Sequence, residues 1–544
     1  MLVPGALDVS RIAAFKDENL DDVRKFLDEW NIVNVRQTIF SSISVETREA
    51  LAQFINEKSQ EKSLAKSLLC TIRLISRDKN DLEKLLTTDV CEMICVWSGL
   101  TDEINDDVNK DIAIEAAKTL NNTLFHSLPM RQHFAKRSMK ALESLLVAFA
   151  TDSFQSFPFF ANAKSEELLS ISHHFIKIAF IETALMKDVQ NQWSKSLPVL
   201  DALYSLIEEA LRAIQTPSPN AIVIGRADEA MKTLFNLFCH ANEDLLPKDY
   251  VTKFNLLFRE IITTPGVPSD LEQNSVNMLS TLPLYLIPAV VCTCLDTSKG
   301  DNTKSRRDDE AFENYDMNFT TAMMNALSSK LTNVETGTDK EPELLGTYLT
   351  VLIKLCTISK QARRYCRLKI LPPLKDIDVE RRPDQGNTLR NQLVRLMMQT
   401  TCTKELASEF LFILCKKSVQ RLIKYTGFGH SAGLLANSGL LGQVNARRRD
   451  SDSEDSETEE YNAVRNHVNP VTGTFFPQEP SAIAGMSEEQ KEYEAMKLVN
   501  AMSKMMDAGI VKPGTIGEDG RIQEVSHVCQ LAKNAPEKED SDSD

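Results

Sequence analysis

Asp111-Ile-Ala-Ile-Glu-Ala-Ala-Lys-Thr-Leu-Asn-Asn-Thr-Leu-Phe125 decides the fold class. Ile114, Ala117, Leu120 and Leu124 recur at three- and four-residue spacing and line one face, with Asp111 placed to cap the start. The small alanines allow a neighbouring helix to approach closely. Ala227-Asp-Glu-Ala-Met-Lys-Thr-Leu-Phe-Asn-Leu-Phe238 repeats the same Ala, Lys-Thr-Leu, Asn order, and Ser408-Glu-Phe-Leu-Phe-Ile-Leu-Cys415 supplies another apolar helix that closes the array. Outward from these segments, residues 6–425 read as helix after helix with few alternating, strand-like stretches. The expected fold class is therefore all-α, an armadillo/HEAT-like helical-repeat superhelix, although loops of different length hide any clean period.

Pro- and Gly-marked loops separate the helices at Gln215-Thr-Pro-Ser-Pro-Asn220, at 263–270 and at the strongly polar 296–309. A chain of 544 residues exceeds the roughly 250–300 residues at which one core stops growing, which suits an elongated array. After Tyr425 a Gly-rich closing segment spans 426–449, followed by an acidic, hydroxyl-rich run at 450–460 and a connector at 461–486. Ser487-Glu-Glu-Gln490 then opens a Met-rich helix over 487–509 as a capping box, with Gly509 at its end and a flexible acidic tail at 510–544. The most apolar window, Leu279 to Leu295, is broken by Pro283 and Pro288 and reads as a buried, kinked helix rather than a membrane span.

A formal net charge of -15 argues against nucleic acid and for a basic partner surface. The eleven cysteines form no CxxC pair and read as reduced, mostly buried thiols. The start of the chain lacks a basic, then apolar leader, so a cytoplasmic protein is expected. No Gly-Lys pair exists for a phosphate-cradling loop, HExxH is missing, and no strand–turn–helix context is read that could hold a GxSxG nucleophile elbow. Adjacent His173 and His174 point about 100° apart on a helix and read as packed or surface residues rather than as a metal pair. No cofactor, no metal and no conventional active site are expected; any activity comes from binding that shifts another protein's conformational populations.

Three further features carry functional content. Ser451 and Ser456 each have a glutamate three residues on, the signal read by acidophilic casein-type kinases. In Lys360-Gln-Ala-Arg-Arg-Tyr-Cys-Arg-Leu-Lys369, the side chains of Lys360, Arg363, Arg364 and Arg367 should share much of one face, on which phosphates could dock. A solvated basic face beside a solvated acidic run fits the same residues. Met496, Val499, Met502, Met505 and Met506 form a flexible apolar stripe. Such a helix either packs back on the array or, freed by its connector, reaches a partner.

The second half carries a run of ordered blocks: Leu371-Pro-Pro-Leu374, Leu389-Arg-Asn-Gln-Leu-Val-Arg-Leu-Met397, Glu409-Phe-Leu-Phe-Ile-Leu-Cys415, Ile423-Lys-Tyr-Thr-Gly-Phe-Gly429 and Ala432-Gly-Leu-Leu-Ala436. Asn469-Pro-Val-Thr-Gly473, Gly485-Met-Ser-Glu-Glu-Gln-Lys491 and Glu494-Ala-Met-Lys-Leu-Val499 follow. Together these blocks resemble the synembryn family, and the looser part of the match begins near Leu68. The resemblance implies a chaperone and nucleotide-exchange factor for G-protein α subunits, whose groove takes the α-subunit's C-terminal helix while the tail embraces its nucleotide-binding domain. It places helix-gripping residues at Arg73, Arg77, Asn122, Phe180, Phe235 and Asn236, with Cys239 where the family commonly has a second Phe. It sets phosphorylated Ser451 and Ser456 against Lys360, Arg363 and Arg364. The Met-rich stripe and the length of its connector favour Met496, Val499, Met502 and Met506 as partner contacts. A monomer is expected, recruited to the cell cortex by its partner. Composition alone also fits a non-catalytic helical-repeat adaptor.

Overall fold

The computed structural model describes residues 5–103, 105–154, 156–160, 163–239, 247–281, 311–338, 342–444, 457–476, 485–509, 514–516 and 522–524. The chain divides into two compact units, residues 1–286 and 287–544, where periodicity reads one continuous array to Tyr425.

In the first unit two rows of helices stack side by side. The first row runs Leu20–Asn34, Lys62–Ile75, Lys110–His126, Ser165–Leu185, Ala221–Cys239 and Ser269–Thr281, each packed on the next. The second row includes Val45–Glu57, Thr88–Trp97, Met139–Thr151, Leu197–Ile214 and Lys248–Thr263. First-row helices begin at residues 20, 62, 110, 165, 221 and 269, at spacings of 42, 48, 55, 56 and 48 residues. That drift is why no period is visible in the sequence. The stacked helices bury a continuous apolar layer: Leu68, Leu69, Ile72 and Ile75 on one first-row helix and Ala113, Ala116, Ala117 and Leu120 on the next are all buried where the two helices pack. Each large aliphatic side chain so buried contributes roughly 1.5–3 kcal/mol.

Polar residues start the helices. Asn19, Ser44, Thr87, Asn109 and Ser127 each accept a backbone N–H of the first turn, satisfying donors that no helical carbonyl can reach. The Lys110–His126 helix is capped by Asn109, not by Asp111 as its sequence suggests. Asp111 lies one residue inside and pairs instead with Lys66, 3.2 Å away on the preceding row helix. Ile114 is half-buried, and Ala113 and Ala116 join the buried face, because packing on both flanks widens the stripe.

Ser165–Leu185 is long and apolar enough to cross a membrane by composition. It packs on the Lys110–His126 and Ala221–Cys239 helices and holds Glu182 and Thr183 in its buried face, as a core helix does. The window from Leu279 to Leu295 lies outside the described residues beyond Thr281.

The second unit begins, in described residues, with a short hairpin pairing 311–312 with 315–316, then the Asn318–Glu335, Leu345–Ile358 and Lys360–Ile370 helices. Leu389–Met397 and Thr403–Leu414 follow. Ser408–Cys415 does not close the array, since Val419–Thr426 and Phe428–Asn437 come after it. The segment read as a Gly-rich close thus carries a full helix; its glycines start that helix at Gly427 instead of dissolving it. A hairpin pairing Val468–Asn469 with Thr474–Phe475 then returns to the unit, and Glu488–Asp507 forms a helix opened by the Ser487–Gln490 capping box.

Candidate functional site

Successive first-row helices are stitched together by side chains that donate to the backbone of a neighbour. Asn31 donates to the Ser67 carbonyl at 3.0 Å, Thr119 to Leu69 at 2.9 Å, and Asn122 to Arg73 at 3.1 Å. Asn121 donates to His174 at 3.1 Å, and Asn236 donates to both Phe180 O and Thr183 Oγ1 at 3.2 Å. Such rungs answer carbonyls that already accept a helical bond but keep a second lone pair. They hold the helices in register, so the residues between the rungs line up across the row.

What lines up is a cationic cleft of about 310 Å³. Arg73 and Arg77 contribute from one helix end, Lys118, Asn121 and Asn122 from the next helix, and His173, His174 and Lys177 from the third. Arg73 Nε donates to Glu115 Oε1 at 2.5 Å, and its Nη2 reaches Cys70 Sγ at 3.3 Å. Burial opposes the charge of Arg73, but the Glu115 carboxylate outweighs it and raises the guanidinium above its ordinary value. Arg77 Nη1 donates to the carbonyls of Val35 and Gln37 at 2.7 and 3.0 Å. Burial, then the charge of Arg73, lowers the pKa of Arg77. His174 is pushed down to about 4 by burial first and then by Lys118, His173 and Lys177, with Glu115 opposing.

Arg73, Arg77 and Asn122 are therefore brought together in one cleft, and each is tied to a neighbouring group of the chain. Phe180, Phe235 and Asn236 lie further along the row and do not line this cleft. Phe180 and Phe235 are half-buried, with Lys232 Nζ 5.8 Å from the Phe180 ring centroid. Cys239 is half-buried next along that helix, its thiol raised by burial. Sequence reading missed Lys118, Lys177 and the histidines as members of the cleft, and Glu115 as the carboxylate behind Arg73. A signal for them was present: Arg73/Arg77, Lys118/Asn122 and His173/Lys177 are all i,i+4 polar pairs on successive row helices.

In the second unit, Lys360 is exposed on the Lys360–Ile370 helix while Arg363 and Arg364 are half-buried. Arg363 Nη1 donates to the Cys356 carbonyl at 2.9 Å, and Arg364 pairs with Glu313. Arg367 is not open as they are: it is buried, because neighbouring helices cover that part of the helix. Ser451 and Ser456 lie outside the described residues.

From Glu457 the chain clasps the unit. Lys424 Nζ and Glu457 Oε1 are 3.3 Å apart and almost wholly buried, and Arg465 holds the other Glu457 oxygen at 3.2 Å. Thr458 caps the Glu459–Val464 helix and donates its hydroxyl to the Leu374 carbonyl. Phe428 and Gly429 donate their backbone N–H groups to Pro470 and Val471 at 2.8 and 2.9 Å. Gly427 has φ +75°, and a Cβ there would sit 3.0 Å from the Val471 and Thr472 backbone; at Gly473, φ +73°, it would meet Pro383 Cγ at 2.7 Å. Two separate sequence blocks, Gly427-Phe-Gly429 and Asn469-Pro-Val-Thr-Gly473, are thus the two halves of one interlock.

The Glu488–Asp507 helix has no buried residue. Met496 is 66% exposed, Val499 is exposed, and Met502 and Met506 are half-buried. Among the described residues no cluster of His, Cys, Asp and Glu is placed to hold a metal ion, and Cys91 and Cys95 are pushed up to about 12 by burial, as inert thiols are.

The sequence that builds these helices, the cleft and the clasp also matches a known family. Residues 68–521 match the family described as guanine nucleotide exchange factor synembryn, and the chain belongs to that family. It is 40% identical, over 96% of each chain, to the protein named "Chaperone ric-8" of Caenorhabditis elegans. It is 32% identical to "Chaperone Ric-8A" of Danio rerio over 93% of each, and 30% to that of Xenopus tropicalis over 96% of each. A solved structure titled for a phosphorylation switch between cadherin and beta-catenin covers 79% of this chain and 89% of its own at 13% identity. Its TM-score of 0.29 is too low to carry an argument.

Proposed function

We propose that this chain is a chaperone and nucleotide-exchange factor for heterotrimeric G-protein α subunits, and that its first-row cleft takes the C-terminal helix of the α subunit. The cleft carries the reading: Arg73, Arg77, Lys118 and Lys177 converge where a terminal carboxylate would end, and Phe180 and Phe235 offer apolar contacts further along the same row. A helix held there is withheld from its own domain, which loosens the nucleotide pocket and favours the empty state. No group on this chain has to touch the nucleotide. Family membership supports exchange, and the relatives' names support chaperoning.

The tail extends the grip. The exposed Met496 and Val499 with Met502 and Met506 give an adaptable second contact for the same partner. Ser451 and Ser456, phosphorylated by an acidophilic casein-type kinase, would dock on Lys360, Arg363 and Arg364, of which Lys360 is the most open. The chain acts as a cytoplasmic monomer drawn to the cell cortex by its partner. The test mixes purified protein with GDP-loaded α subunit and follows uptake of a non-hydrolysable GTP analogue. Acceleration with a trapped nucleotide-free complex is expected; binding without either outcome would instead make this a peptide-binding adaptor.

A further inference from the structure

We infer that the adjacent His173 and His174 are a proton-linked part of the cationic cleft, so that an anion docking there draws a proton onto the pair and binds more tightly as pH falls. The inference rests on the terminal-carboxylate reading above for the identity of the anion, and on the geometry of the cleft for the proton.

The charges in the cleft are unbalanced. Four permanent cations, Arg73, Arg77, Lys118 and Lys177, surround the pair, while the acid that faces it, Glu115, is already bound to Arg73 at 2.5 Å. The next row helix adds nothing to the balance. Its Asp228 and Glu229 are paired to Lys232, Arg226 is paired to Glu209, and the position against His173 is Gly225, where an added Cβ would stand 3.6 Å from the ring. The two imidazoles are themselves 5.9 Å apart at 64°, so His173 adds to the repulsion around His174. Burial with those neighbours holds His174 down near 4.

An arriving carboxylate leaves the burial in place but offsets it by reversing the like-charge repulsion. It neutralises the surrounding cations, supplies an acceptor for an imidazolium N–H, and excludes the water that screens the interaction. The bound state then has the higher His pKa, so binding takes up protons, and affinity rises as pH falls through the bound-state value toward the free-state one. With the bound value near the ordinary 6.5, binding should tighten about three- to tenfold from about pH 8 to about pH 6. A carboxyl terminus does not titrate there, and a fixed guanidinium or ammonium gives no such slope.

The probe is a synthetic peptide of the C-terminal helix of a G-protein α subunit, free of His and Cys, made with a free or an amidated C-terminus. Titration calorimetry with the full chain, in two buffers of different ionisation enthalpy, measures affinity and protons taken up together. The expected result is net proton uptake and tighter binding at low pH for the free acid, and neither for the amide. His173→Gln with His174→Gln should flatten the profile, whatever its affinity at high pH, in a protein whose melting shows that it is folded. If the free-acid peptide binds at no pH, the terminal-helix reading fails. If it binds with a flat profile and no proton uptake, or if the double variant keeps the wild-type slope, this inference alone is overturned.

Discussion

The first-row cleft and the tail clasp are both built from basic residues and backbone contacts, yet one is open and the other is filled by its own chain. In the clasp, Lys424 meets Glu457, and the amides of Phe428 and Gly429 meet Pro470 and Val471. In the cleft, one acid serves four cations, and deeper in the same row the fully buried Glu182 makes no side-chain hydrogen bond among the described residues. The difference separates structure from function: a buried polar group answered within the chain stabilises the fold, and one left over is available to a ligand or stands as a cost.

The sharpest way to break the comparison is at Glu182. Burial raises its carboxyl to about 8, against the opposing charge of Arg131. A carboxyl raised in the folded state is protonated in both states at low pH, so its cost appears only as the unfolded form ionises above 4.5 and grows until the folded form ionises near 8. Stability of the first unit should therefore fall across that window. Glu182→Gln should remove the slope and gain on the order of 3 kcal/mol at pH 8, read from denaturant melts at a series of pH values. A slope unchanged by the substitution would show that other groups set it.

Opening the clasp comes next. Gly473→Val forces a side chain onto Pro383 at a left-handed φ and should cost on the order of 2–3 kcal/mol locally. Hydrogen exchange should then speed up across 457–476 while the first-row helices keep their protection. Uniform loss of protection would mean that the clasp supports more than its own unit.

Arg73→Ala removes the partner of Glu115 and one wall of the cleft. Terminal-helix peptide should bind about ten- to a hundredfold more weakly, with the Asn122 rung to the Arg73 backbone intact. Calorimetry reads this directly, and equal affinity would move the anion site elsewhere. The smallest effect belongs to Met496→Asp with Val499→Asp. Both residues are exposed, so melting should shift by less than about 0.5 kcal/mol, while nucleotide exchange on the α subunit slows if this helix is a contact.

Helix identity was readable because each helix carries its own apolar stripe and its own cap, both local properties. Asn109 rather than Asp111 took the cap because the true first turn begins two residues earlier, a margin that periodicity does not resolve. Arg73 and Arg77 were readable as an i,i+4 pair. Lys118, His173, His174 and Lys177 were not, since their shared cleft depends on the rungs that set three helices in register. Arg367 shared a face with Arg363 and Arg364 on the helical wheel, but neighbours cover that side.

The sequence by itself determined an all-helical array, the start of its last helix at Ser487 and the residue blocks that mark its family, because periodicity, capping and motif order are encoded within a few turns of chain. Only the tertiary structure decided that residues 73, 118 and 174 face one cleft of the first unit, that Glu182 lies buried further along that same row, and that the glycines at 427 and 473 meet across one interlock of the second unit. Those outcomes depend on which distant helix supplies the other half of each contact, and stacking, not local preference, makes that choice.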